Sequence, residues 1–202
     1  MSLASKLASV LAIAGMVSLL LSLALPWFQL NLDGDLGILG RYRIDTRFEI
    51  SEYSSWAYVN GALSSNASNR YAGSPYGPVG DLMKTELIWL GASIASTAAF
   101  AGLLNRKTLR LVIGTLTLAF CIVALVYLPF VMPSAVNESQ ANMYGSSEVL
   151  TIHGFWGSED VSIFRVTWGP SISWFLVLIS TFLVLFAVVL GIISRSDSVD
   201  RD

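Results

Sequence analysis

The residues of this sequence that could carry out chemistry are few. The chain has one histidine, His153, and one cysteine, Cys121. It contains no paired-cysteine metal motif, no haem-attachment motif, no nucleophile elbow and no phosphate-binding loop. We therefore expect no catalytic residue, no bound metal and no cofactor, and we predict that the chain is not an enzyme. A hydrogen-bonded strand residue is the simplest interpretation of His153, and a pH-sensing or shared-metal residue is the alternative.

Two Asn-X-Ser tripeptides are possible glycosylation sites, Asn66-Ala67-Ser68 and Asn137-Glu138-Ser139. Glycosylation of this motif occurs on surface segments that face the outside of the cell. The motif is short, so chance occurrence is the alternative for both Asn66 and Asn137.

Two further groups of residues are candidates for contacts with other proteins. Gly91, Ala95 and Ala99 recur every fourth position, and such stripes let helices approach closely within lipid. Packing inside the chain itself is the alternative. Tyr71 and Tyr76 lie in a segment rich in Gly, Ser and Asn, 61–80, a composition typical of irregular chain and also of binding loops.

Four long apolar segments dominate the chain, of which 54% of residues are apolar and only 13% charged. Each is close to the roughly 20 residues that a helix needs to cross a bilayer. The sequence therefore predicts an all-α membrane bundle of four transmembrane helices, at about 7–27, 86–104, 109–130 and 171–193, in a single tetraspan domain. The first run is longer than the core of a signal peptide, so we expect it to be retained. Lys84, Glu86 and Arg110 fall at span ends, where we expect their charges to reach the interface.

The basic residues between spans two and three indicate the orientation. Arg106, Lys107 and Arg110 follow one another closely there, and short basic links stay in the cytoplasm. We therefore expect a multi-pass protein of the cell (plasma) membrane with both termini in the cytoplasm. The segments 28–85 and 131–170 then face outward.

Alternating patterns in the two outer segments indicate strands. Residues 41–50 alternate apolar and charged side chains, the pattern of a strand with one buried face. Residues 149–156 and 161–168 are β-rich around a connection at 157–160, which predicts a hairpin. We expect this hairpin to pair with the 41–50 strand in a small extracellular antiparallel sheet, with 28–32 as a further strand, while 61–80 stays irregular.

Four spans, a large first outer segment with strands and a smaller second one resemble the claudin-like tetraspan architecture. The claudin signature has a Trp, then Gly-Leu-Trp, then two loop cysteines. Here Trp56 stands in Ser54-Ser55-Trp56-Ala57-Tyr58, and the outer segments contain no cysteine. The resemblance is therefore one of topology, and it implies adhesion, barrier or accessory-subunit roles without assigning any residue a role.

These observations favour a non-catalytic structural or accessory subunit of a membrane protein assembly. Its outer sheet and small-residue helix faces would contact other membrane or cell-surface proteins. A claudin-like protein that self-associates in adhesion or surface assembly is the first alternative, and a small channel or carrier for neutral or lipidic molecules is the second. The expected partners are membrane proteins, copies of the chain itself and the lipid bilayer. Nucleic acid is not expected, because no basic run is present.

Overall fold

The computed structural model describes residues 3–103, 107–144 and 151–199, and these ranges contain four α-helices and one six-stranded sheet. The helices are α1 (Leu3–Ser22), α2 (Gly77–Gly102), α3 (Lys107–Tyr144) and α4 (Ile172–Val199). The strands are β1 (Phe28–Asp35), β2 (Arg41–Phe48), β3 (Glu52–Val59), β4 (Ala62–Arg70), β5 (Gly157–Val161) and β6 (Phe164–Pro170). Contacts divide the chain into a helical unit (Met1–Leu23, Leu87–Val126, Phe175–Asp202) and a sheet unit (Ala24–Glu86, Tyr127–Trp174).

Of the described helices, three are long and apolar enough to cross a membrane. Their apolar segments are Leu3–Ser22, Thr108–Asn142 and Ile172–Ile193, as expected of a multi-pass membrane protein. The span predicted at 86–104 corresponds to most of α2, which is not among the three. Ser93, Ser96 and Thr97 lower the mean hydropathy of α2, so its crossing of the membrane stays a prediction.

The helices bury narrow stripes of residues spaced alternately three and four apart. In α1 the buried stripe is Ser5, Ala8, Ala12, Gly15, Leu19 and Ser22. In α4 the stripe includes Val177, Ser180, Val184 and Ala187. This spacing is that of helices packed at a small crossing angle with interdigitating side chains. The small residues of α1 allow close approach, and the Ser180 hydroxyl donates a hydrogen bond to the Gly15 carbonyl at 2.9 Å.

Arg110 on α3 joins other helices of the helical unit instead of reaching outward. Its guanidinium donates to the hydroxyls of Ser5 and Ser9 on α1, at 2.9 Å each. It also lies 4.8 Å from the centre of the Phe100 ring on α2. Arg110 is only 5% exposed, so its guanidinium lies within the chain, and its reach to the membrane interface stays a prediction. The hydrogen bonds and the cation–π contact offset part of the cost of burial, while the buried Nε of Arg110 has no hydrogen-bond partner among the described residues.

The sheet joins two distant segments of the chain, in the order β4-β3-β2-β1-β6-β5. All neighbouring strands are antiparallel, and β1 is the strand that connects the two segments, through β2 on one side and β6 on the other. The antiparallel sheet predicted from both segments is confirmed. The hairpin, however, pairs with β1 and not with the 41–50 strand, because β1 lies between them. The alternation predicted for 41–50 holds in β2, where Thr46 and Phe48 are buried and Arg43 and Arg47 exposed.

Three local predictions in the sheet are wrong. Residues 62–70 form strand β4 and not irregular chain. The predicted hairpin connection at 157–160 lies within strand β5, and the turn instead falls between Val161 and Phe164, with Ser162 at φ 56°. Gly157 is required for packing and not for a turn, since a Cβ there would stand 2.6 Å from the Trp168 ring. The first predicted strand of this hairpin, 149–156, is also wrong over residues 151–156, which form no strand, while residues 149 and 150 lie outside the described ranges.

Helix α3 continues beyond the predicted span, through Pro129 and Pro133 to Tyr144. The predicted outer segment 131–170 therefore begins as helix. Each proline removes one backbone hydrogen bond, and the buried neighbours Leu128, Met132 and Val136 supply packing that offsets the loss. Helix α2 likewise begins earlier than the predicted span, at Gly77, with Pro78 in its first turn, a position that suits proline.

Candidate interaction surfaces

Helix α2 carries small residues on two different faces. Ser93 and Thr97 are fully buried. The predicted contact residues Gly91, Ala95 and Ala99 are exposed, and no heavy atom lies within 4 Å of a Cβ built on Gly91. The alternative interpretation, that this stripe packs inside the chain, therefore does not describe the structure. The stripe is a smooth helix surface that the described part of the chain leaves exposed.

Tyr71 and Tyr76, the two predicted contact residues of the 61–80 segment, belong to an aromatic cluster of the sheet unit. Tyr76 packs edge-on against Phe48 and Tyr53, with ring centres 5.1 and 4.7 Å apart. Tyr71 is 6% exposed, and its hydroxyl donates to the Glu49 carbonyl at 2.6 Å. Burial raises the pKa of the Tyr71 hydroxyl, and the Glu49 carboxylate adds to the effect. This placement gives Tyr71 a packing role.

The two possible glycosylation sites differ in accessibility. Asn66 is exposed on strand β4. The Asn137 side-chain amide makes two hydrogen bonds to the backbone of Ile152. Its oxygen accepts from the Ile152 N–H at 2.7 Å, and its nitrogen donates to the Ile152 carbonyl at 3.1 Å. A sugar on Asn137 would disturb these hydrogen bonds. Of the two, Asn66 is the accessible site.

One face of the sheet is a network of alternating charges. Across four adjacent strands, Arg43, Asp33, Arg165 and Asp160 stand directly opposite one another. Arg43 also donates to Asp45 at 2.7 Å. Opposite charges on neighbouring strands stabilise the pairing of those strands. Arg41 and Arg43 of the 41–50 segment therefore each lie opposite an aspartate of β1, and this face of the sheet is not a basic patch.

The two edges of the sheet are built differently. Strand β5 has five residues and carries Glu159 and Asp160, and charges and short length protect an edge from pairing with other chains. Strand β4 has nine residues, all exposed, and its charge is confined to Arg70 at the end. It contains no proline, and of the described residues only β3 pairs with it. A register shift opposite Ala57 and Tyr58 leaves Ser65–Arg70 as the regular part of the strand. The β4 edge is therefore open to a further strand.

Glu86 on α2 is fully buried. Neither carboxyl oxygen has a hydrogen-bond partner among the described residues. The Glu86 carboxyl is thus enclosed by the chain, whereas Lys84 is exposed beside Asp81, and the reach of either charge to the membrane interface stays a prediction. Glu86 continues the buried stripe of Val79, Met83 and Leu90, where an apolar residue is the ordinary choice.

An open groove of about 610 Å³ lies between the first turns of α2 and the second half of α3 in the sheet unit. Asp81, Thr85, Tyr127, Glu138 and Asn142 are among its lining residues. No sequence motif identifies it, because its lining comes from two helices distant in the chain. The groove is mixed in polarity and open to solvent.

Among the residues that the structure describes, no three His, Cys, Asp or Glu side chains lie close enough together to hold a metal ion. His153 is exposed and Cys121 is buried. No known protein family matches the sequence, and no curated protein is significantly similar to it. The surfaces described above therefore carry the information on function.

Proposed function

We propose that this chain is a non-catalytic structural or accessory subunit of a membrane protein assembly, and that it binds a membrane partner through Gly91, Ala95 and Ala99. The exposure of this stripe carries the proposal. Helix α2 already uses other small residues, Ser93 and Thr97, for burial within the chain. The exposed stripe is thus not needed for the fold.

Helix association in lipid supports this function. Apolar side chains gain little by leaving lipid for a protein surface, so association depends on close packing and on hydrogen bonds. A stripe without protruding side chains lets a partner helix approach the α2 backbone closely. The partner that fits best is a transmembrane helix with small residues or a shallow groove.

Enlarging the stripe should separate the chain from its partner. In a Gly91→Leu/Ala95→Leu variant, two bulky side chains would hold the partner helix away from α2. We expect at least about a tenfold loss of copurifying partner, equivalent to about 1.4 kcal/mol. The measurement is quantitative mass spectrometry after purification of the tagged chain in mild detergent.

The matched control is Ala119→Leu, which enlarges an exposed alanine of α3. The partner should be retained by this variant, and all variants should unfold at the same temperature. Equal retention of partner by the double variant would refute the proposed role of the stripe, as would equal loss in the Ala119→Leu control.

We further propose that the four helices form a transmembrane bundle, that both termini are cytoplasmic and that the sheet faces outward in the plasma membrane. Arg106, with Lys107 and Arg110 in the first turn of α3, supports this orientation. The link residue Asn105 lies outside the described ranges, whereas Ser65 is exposed on β4. In intact cells, an impermeant thiol reagent should label a cysteine at Ser65 and spare one at Asn105. The reverse labelling would overturn the orientation.

A claudin-like protein that self-associates at the cell surface is the second candidate function. The open β4 edge favours it, because an unprotected edge strand can pair with the same strand of another copy. Copurification separates the two candidates. A different protein in fixed proportion supports an accessory subunit, and an oligomer of this chain alone supports self-association.

A further inference from the structure

We propose that strand β4 pairs antiparallel with β4 of a second copy of this chain, joining two sheets edge to edge. The proposal does not depend on the α2 stripe, but it rests on the second candidate function, self-association at the cell surface, and specifies its contact. It rests on three features of β4: its position at the edge of the sheet, its full exposure and the absence of the devices that protect β5.

The sequence of β4 is complementary to itself. Two antiparallel β4 strands can be aligned so that Ala67 of one copy lies opposite Ala67 of the other. Each residue then lies opposite the residue of the second copy for which the two residue numbers add up to 134. The pairs are Ser65 with Asn69, Asn66 with Ser68, and Ala67 with Ala67 of the second copy. Amides thus face hydroxyls, which can exchange hydrogen bonds across the strands. All of these residues lie in the regular part of the strand, Ser65–Arg70.

The charges of β4 also permit this pairing. Arg70 is the charged residue of the strand, and the register centred on Ala67 places it opposite Ser64 of the second copy, away from the other Arg70. Like charges directly opposite each other would destabilise such a pair, and this register has none. Pairing with β5 of another copy is less favourable for β4, since β5 is short and its own edge carries two carboxylates.

The area that one strand buries is small compared with a stable interface between soluble proteins. Confinement of both copies to one membrane, or to two apposed membranes, raises their effective concentration, and repeated contacts add to the avidity. We therefore expect a weak contact between isolated copies that becomes effective when many copies share a surface.

Charge substitutions at the centre of the pair provide the test. Ala67→Lys in both copies places two ammonium groups opposite each other, and Ala67→Asp in both copies places two carboxylates there. Each should lower by about tenfold the capture of one tagged copy by a differently tagged copy, when both copies share one membrane and are cross-linked before that membrane is solubilised. Mixing the Lys variant with the Asp variant should restore capture, because opposite charges then meet.

Three controls keep the result interpretable. Ala62→Lys introduces the same charge into the same strand, outside the proposed pairs, and should leave capture unchanged. Both Ala67 variants keep the Asn66-X-Ser68 motif, so glycosylation is equally possible in each. Ala67 is exposed, and resistance to proteolysis should match that of the unaltered chain.

Several outcomes would overturn the proposal. One is loss of capture between two Lys variants and between two Asp variants without recovery when the Lys variant is mixed with the Asp variant. This result would mean that another protein occupies the β4 edge. A second is the absence of capture between unaltered copies. A third is loss of capture in the Gly91→Leu/Ala95→Leu variant, which would mean that copies meet through α2. Retained self-capture with loss of a different partner in that last variant would support both proposals.

Discussion

Replacing Phe48 with alanine should destabilise the sheet unit by about 3–5 kcal/mol. Phe48 is fully buried, and its ring packs against Phe28, Tyr53 and Tyr76 at centre distances of 5.1 to 6.4 Å. The substitution would leave a cavity between the ring of Phe28 and the rings of Tyr53 and Tyr76. Limited trypsin digestion should then cut after Arg43 and Arg70, sites whose backbone the folded sheet protects and which the control variant keeps, with the helices of the helical unit remaining intact.

Arg47→Ala is the matched control, because Arg47 is the neighbouring residue on the opposite face of β2. It is exposed, and its guanidinium lies 5.0 Å from the Trp56 ring. Loss of such an exposed contact costs about 0.5–1 kcal/mol, so digestion should change little. If both variants are cleaved at the same rate, the aromatic cluster does not hold the sheet together.

Replacing Glu86 with methionine should stabilise the chain by roughly 1–4 kcal/mol. A carboxyl group without a hydrogen-bond partner is costly to bury, and Glu86 is fully buried within an otherwise largely apolar stripe of α2. Methionine has a similar length and a flexible chain that can fill the same space. Thermal unfolding of the purified chain, free of partners, should therefore occur at a higher temperature in the variant.

Glu86→Gln keeps the size and polarity of the side chain, so it should raise the unfolding temperature much less than Glu86→Met does. The partner-bound complex gives the second comparison. A stabilising substitution that leaves complex formation intact would show that Glu86 is dispensable, whereas a stabilising substitution that abolishes it would show that the acid is retained for the assembly. Unfolding of Glu86→Met at a lower temperature would mean that the carboxyl has a stabilising partner.

Features with a strong local pattern could be predicted from the sequence. These features are the alternation in β2 and the long apolar runs of α1, α3 and α4. In each of them, the order of apolar and polar residues along the chain follows which side chains are buried or face lipid. Strand β4 could not be predicted in this way, because Ser, Asn and Ala have low strand propensity. It forms where β3 supplies a ladder of backbone partners, and that pairing joins residues on two sides of a turn at Asn60 and Gly61, both with positive φ.

Glycine and charge at single positions were ambiguous for a different reason. Glycine in a sequence usually indicates a turn. Gly157 and Gly34 instead make room for an aromatic ring, that of Trp168 and that of Phe164 respectively. Arg110 and Glu86 stand at the ends of apolar runs, where charges usually reach the interface. Their burial depends on which face of the helix they occupy in the packed chain, and one sequence does not specify that.

The charged face of the sheet has a consequence for the rate at which partners are found. Strands β2, β1, β6 and β5 carry four arginines and four aspartates on this face: Arg41, Arg43, Arg47, Arg165, Asp33, Asp35, Asp45 and Asp160. Because positive and negative charges are equal in number and interspersed, their fields largely cancel beyond the screening distance of about 8 Å at physiological salt. Such a surface does not attract a binding protein from afar, and association should proceed at the unassisted rate of about 10⁵–10⁶ M⁻¹s⁻¹, nearly independent of ionic strength. Encounters at this face would thus be governed by diffusion within the membrane and by the density of copies there.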